Sequence, residues 1–83
     1  MSLLLIEDDP NMVIYLSLAL SDAGFKIESA SDGLTGLDLA RFNKYELILL
    51  DCNLTKLSGF DIVKRVRAEK NVTPIIILTV LGE

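Results

Sequence analysis

The sequence predicts an α/β fold built on a parallel sheet, and three observations carry that prediction. Leu3-Leu4-Leu5-Ile6, Leu47-Ile48-Leu49-Leu50 and Ile75-Ile76-Ile77-Leu78 are unbroken apolar runs of strand length. A strand with no wet face is covered on both sides, which is the environment of a parallel sheet between helices. Segments with helical periodicity lie between the runs, and each run ends on oxygen-bearing side chains: Glu7-Asp8, Asp51 and Thr79.

In chain order, the first apolar run stops at Glu7-Asp8-Asp9. Asp9 before Pro10 has the form of a helix cap followed by proline at the first helical position. Met12, Val13, Leu16, Ala19, Leu20 and Ala23 then recur at spacings of three and four, an apolar stripe that Gly24 brings to a stop. Phe25, Ile27 and Ser29 alternate with Lys26 and Glu28, so the second strand is half wet and belongs at a sheet edge. Ser31-Asp32-Gly33 signals a turn. A second helix is expected over 34–42, with Leu34, Leu37, Leu39 and Ala40 as its apolar side and two glycines weakening its start.

The run 47–50 ends on Asp51, a residue that also favours turns in its own right. After the loop from Cys52 to Leu57, Ser58 with Asp61 resembles a capping box. Phe60, Ile62, Val63 and Val66 form the expected buried side of a third helix, with Lys64, Arg65, Arg67 and Lys70 mainly on its solvated side. Asn71-Val72-Thr73-Pro74 ends it, because the residue before proline is pushed towards extended geometry.

The chain has 83 residues, 51% of them hydrophobic, which is enough for one small domain that buries roughly 60% of its unfolded surface. Eight Lys and Arg against 12 Asp and Glu leave a net charge of −4. That disfavours direct nucleic-acid binding through this domain, which needs a basic footprint. Cys52 is the single cysteine and no histidine is present, so a zinc site of the usual kind is excluded and any bound metal must be held by oxygen. The lone cysteine fits a reducing, cytoplasmic setting. Met1 to Ile6 is cut short by three acids and reads as neither signal peptide nor membrane span.

Alternation of strands and helices puts Glu7-Asp8, Asp51 and Thr79 on one edge of the sheet. In the flavodoxin-like order 2-1-3-4 the carboxylates meet beside the topological switch point, where such sheets bind ligands. Carboxylates so close repel, and a hard divalent cation relieves them. Mg2+ suits the site because it accepts a few carboxylates and leaves positions for phosphate oxygens. A carboxylate beside it can attack phosphorus and form an aspartyl phosphate. Asn53 is placed to offer its backbone carbonyl to the metal, and the Thr79 hydroxyl to donate to a phosphoryl oxygen.

On LLLIEDD, on ILLDCNL followed by LSGFDIVKRVR, and on PIIILT, the chain resembles the receiver domain of a two-component response regulator over nearly its whole length. Three motifs in the right order are far more specific than any one of them. The resemblance implies that Asp51 is the phosphoacceptor, that Glu7, Asp8, Asp51 and the carbonyl of Asn53 bind Mg2+, and that Thr79 is the switch hydroxyl. It implies a sensor histidine kinase as phosphoryl donor and an output domain outside this segment. It also implies a signalling domain that catalyses only its own phosphorylation and dephosphorylation.

The sequence departs from the family pattern at Thr55, where proline is usual, and at Val80, where a small residue is usual. Leu81-Gly82-Glu83 falls where a fourth helix is expected to begin, so residues 1–83 read as a receiver domain lacking the fifth strand and last helices. Impaired phosphorylation follows as an expectation, because the family's fifth-strand lysine has no counterpart. So does a homodimer or segment-exchanged oligomer, because an open strand edge beside uncovered apolar surface invites association. Two other readings compete. The stretch DCNLT is similar to the D-x-D-x-T loop of haloacid-dehalogenase phosphatases, but Asn53 cannot serve as the general acid that loop requires. A receiver-like interaction module that is never phosphorylated is the other.

Overall fold

The structure, a computed structural model, describes residues 1–52, 54 and 57–78. Strands β1 (Ser2–Ile6), β2 (Lys26–Ala30), β3 (Leu47–Asp51) and β4 (Ile75–Leu78) alternate with helices α1 (Pro10–Asp22), α2 (Gly33–Phe42) and α3 (Gly59–Ala68). The sheet has the expected flavodoxin-like order β2-β1-β3-β4, with every pairing parallel. The half-wet β2 is at one edge and β4 at the other.

Local chemistry sets the helix ends. Asp9 caps α1, its carboxylate accepting from the Asn11 N–H at 3.0 Å, with Pro10 in the first turn. Asp32 caps α2 through the Thr35 N–H at 2.8 Å. The Ser58 hydroxyl accepts from the Asp61 N–H at 3.2 Å and donates to the Asp61 carboxylate at 2.9 Å. Each cap satisfies an amide that the first helical turn leaves without a partner. Gly24, at φ 96°, turns the chain out of α1 through the left-handed region.

Successive strand residues face opposite sides of the sheet, and the core divides accordingly. Leu4, Ile6, Ala30, Ile48 and Leu50 meet Leu37 and Ala40 of α2 and Ile62 and Val66 of α3. On the other face Leu3, Leu5 and Leu49 meet Val13, Leu16 and Leu20 of α1. Helices thus cover both faces, and each fully buried Leu or Ile contributes roughly 1.5–3 kcal/mol.

Several expected core positions lie elsewhere. Leu34 is 48% and Phe60 60% exposed, because α2 and α3 turn Gly33-Gly36-Leu37 and Gly59-Ile62-Val66 inward instead. In α1 the contact is centred on Val13, Leu16 and Leu20, which leaves Met12, Ala19 and Ala23 on the exposed flank. On β2 it is Ala30 rather than Ser29 that is buried. The run 75–78 is not buried on both faces: Ile76 is 50% exposed, since β4 has a sheet neighbour only in β3 among the described residues.

The glycines of α2 are its contact surface rather than a weakness. A Cβ on Gly36 would lie 2.5 Å from Cδ1 and 2.7 Å from Cγ1 of Ile6, a side chain that is fully buried. Without the glycine, α2 stands off from β1. We expect Gly36→Ala to lower stability by about 1–2 kcal/mol in urea unfolding. Overpacking at ~1–3 kcal/mol outweighs the gain in helix propensity of up to ~1 kcal/mol. Trimming the opposing side chain with Ile6→Val should restore part of the loss, and a Gly36→Ala protein more stable than the parent would refute the close-approach account.

Candidate functional site

The parallel register of β1 and β3 pairs Ile6 with Leu50, so Glu7 stands level with Asp51, one residue further along. Both lie at the carboxyl edge of the sheet, where the strands give way to α1 and to the loop before α3. The Glu7 N–H donates to the Ala30 carbonyl at 3.0 Å, prolonging the β1–β2 pairing by one bond and fixing the backbone under its side chain. Asp8 follows at the start of the turn, ahead of the Asp9 cap.

Ligand atoms of Glu7, Asp8 and Asp51 all lie within 4.8 Å of one another. Glu7 is only 6% exposed, while Asp8 and Asp51 are half-buried. Two like charges about 4 Å apart cost on the order of 1 kcal/mol in water and several near a protein surface. The strain falls on Glu7, whose carboxyl is pushed up to about 7, first by burial and then by its hydrogen bond to and charge repulsion from Asp51. Backbone amides pull the other way: the Asp8 N–H donates to Glu7 Oε2 at 3.0 Å. The donor set is all oxygen, carboxylate-rich and partly open, which fits a small hard cation of the Mg2+ type. A divalent ion would discharge the repulsion that otherwise holds a proton on Glu7.

The structure therefore brings together three of the residues singled out from the sequence, Glu7, Asp8 and Asp51. Asn53 and Thr79, together with Thr55, Lys56 and Val80, lie outside the described residues. One contributor escaped the sequence reading. A Cβ on Gly59 would lie 2.8 Å from the Asp51 carbonyl oxygen and 2.8 Å from Cys52 Cα. The Gly59 N–H donates to the Cys52 carbonyl at 3.3 Å, and the Cys52 N–H to the Leu78 carbonyl at 3.2 Å. The absent side chain lets the first turn of α3 press on the backbone that carries Asp51. Its signal was present in the motif, as a glycine directly after a helix cap.

Residues 3–83 match the response regulator receiver domain family. The probable transcriptional regulatory protein SilR of Salmonella typhimurium is 40% identical over 82 residues, which are 99% of this chain and 36% of SilR. The chain thus spans about a third of the length of that relative. Among solved structures, the Francisella response regulator 1452 receiver domain superposes with a TM-score of 0.93 at 28% identity, over 99% of this chain and 68% of that one. The receiver domain of the sensor histidine kinase PA1611 from Pseudomonas aeruginosa, whose active-site cleft coordinates a magnesium ion, superposes at 0.91 with 32% identity, over 94% and 66% of the two chains.

The raised carboxyl of Glu7 has a thermodynamic consequence. Its folded value of about 7 lies above the ordinary 4.5, so the folded state holds the extra proton. The resulting stability is complete below pH 4.5 and is lost as pH rises through 7. In chelator, the urea midpoint should climb as pH is lowered from 7 to 4.5, and Glu7→Gln should flatten that slope. Equal slopes in the two proteins would remove Glu7 as the cause.

Proposed function

The chain belongs to the response regulator receiver domain family of two-component signalling, and on that premise we propose that Asp51 is its phosphoacceptor. The observation that carries the reading is the convergence of Glu7, Asp8 and Asp51 within 4.8 Å at the carboxyl edge of β1 and β3. A carboxylate oxygen of Asp51 attacks phosphorus in line. The new O–P bond forms as the P–N bond of a phosphohistidine on a sensor kinase breaks, and the imidazole leaves with the bonding pair. Glu7, Asp8 and Asp51, joined by the backbone carbonyl of Asn53, are the residues that would hold Mg2+. Bound there, Mg2+ supplies charge neutralisation for the transferred phosphoryl group.

The protein's own groups do the rest. Glu7 is anchored by its amide to Ala30 and accepts from the Asp8 N–H, and a cation bound beside it would release the proton that burial and Asp51 hold on its carboxyl. Gly59 and Cys52 fix the Asp51 backbone, so the nucleophile is positioned before substrate arrives. Thr79 is the switch hydroxyl of this proposal. The phosphorylated state is read by an output domain or partner beyond these 83 residues. A transcriptional output fits the relatives' names.

Self-association belongs to the same proposal. It is supported by the edge position of β4 among the described residues, its half-exposed Ile76 and the exposed Ile14 and Leu18 of α1. Light scattering of the 83-residue chain should give the mass of a dimer or larger species, and a monomer across a wide concentration range would overturn it.

For the chemistry, incubation with acetyl phosphate and Mg2+ should add one acid-labile phosphoryl group by intact mass. Asp51→Asn should abolish the adduct, and Asp8→Asn should slow its formation about tenfold or more, the scale on which residues of a metal site act. Phosphoryl addition that persists in Asp51→Asn, or steady turnover of a phosphomonoester, would end the phosphoacceptor reading.

A further inference from the structure

At the amino edge of the sheet, away from the carboxylates, the end of α2, segment 43–46 and the turn 70–74 enclose a groove of about 590 Å³. Its walls include Arg41, Lys44, Tyr45, Lys70, Val72 and Pro74. On a chain of net charge −4 this is a local concentration of cations. The Arg41 guanidinium is already committed, holding Glu69 at 2.5 Å and Asp38 at 3.3 Å. Lys44 and Lys70 are exposed, and neither forms an ion pair among the described residues. The one acid on the wall, Glu46, accepts from the Ser2 N–H at 3.0 Å and lies 4.0 Å from the N-terminal amine.

The groove is built rather than incidental. Lys70 occupies the left-handed region at φ 61°, a position just past a helix end that ordinarily favours glycine or asparagine. Its N–H donates to the Arg67 carbonyl at 2.9 Å and that of Asn71 to the Val66 carbonyl at 3.2 Å. Asn71 then ties the turn down: its Oδ1 accepts from the Thr73 N–H at 3.0 Å and hydroxyl at 2.6 Å, and its Nδ2 donates to the Ala40 carbonyl at 3.3 Å. Val72, 82% exposed, and Pro74 offer apolar surface on the same turn as Lys70.

We propose that this groove docks a short acidic peptide segment of a partner protein, its carboxylates on Lys44 and Lys70 and an apolar side chain over Val72 and Pro74. Charge complementarity selects that occupant: the acidic remainder of the chain repels such a segment, and the field steers it to this edge. The fixed backbone of 70–74 removes an ordering cost that a loose loop would impose.

The test follows backbone amide resonances of the full chain during titration with a short peptide alternating Glu and Leu. Shifts confined to 40–46 and 70–74 are expected, weakening with added salt. Lys44→Glu with Lys70→Glu should weaken binding about tenfold or more, equivalent to about 1.4 kcal/mol, with no change in melting temperature. A peptide with Lys in place of Glu should not bind. The proposal is overturned if those amides do not move, if the double variant binds as well as the parent, or if free glutamate reproduces the effect.

Discussion

The carboxylate cluster of this protein depends on one pairing, the parallel register of β1 with β3. Because Ile6 lies beside Leu50, the residues immediately beyond them, Glu7 and Asp51, emerge together at the carboxyl edge. A shift of one residue in that register would send Glu7 to the opposite face and part the carboxylates. What holds the register is hydrophobic. Leu4, Ile6, Ile48 and Leu50 fill one face and Leu3, Leu5 and Leu49 the other, so slippage would move all of them onto the wrong helices.

That burial works against the site it creates. Glu7 is drawn into a nearly dry position beside Asp51, where its charge is disfavoured by desolvation and by its neighbour. The core drives the strands together, and the acids at their ends resist. A divalent cation bound there would reconcile the two, and its occupancy would then be linked to the stability of the fold. Gly59 contributes to the same compromise by admitting α3 to the backbone of Asp51 and Cys52.

The molecule is also polar along its strands. Asp9, Asp32 and the Ser58-Asp61 pair sit at helix amino ends and join the carboxylates at one edge, while Arg41, Arg65 and Arg67 sit in last turns at the other. Helix dipoles favour each placement. At that same edge the acidic chain also exposes Lys44 and Lys70 along one groove.

Much of this was legible in the chain as written. Unbroken apolar runs, Asp9 before Pro10, and Ser58 three residues ahead of Asp61 identify strands and caps through interactions within a few residues of one another. The motifs around Glu7, Asp8 and Asp51 likewise pointed to carboxylates that the fold brings together. Only tertiary structure decided which flank of each helix is buried. Leu34 faces outward and Gly36 inward on α2, where the closest atoms are those of the Ile6 side chain, and Phe60 faces outward on α3, where Gly59 meets the backbone of Asp51 and Cys52. The groove of Lys44 and Lys70 likewise exists only in the folded chain, since it joins segments far apart in sequence that no periodicity connects. Local hydrogen bonding and apolar pattern are properties of neighbours along the chain, whereas close approach and the summing of charge are properties of neighbours in space.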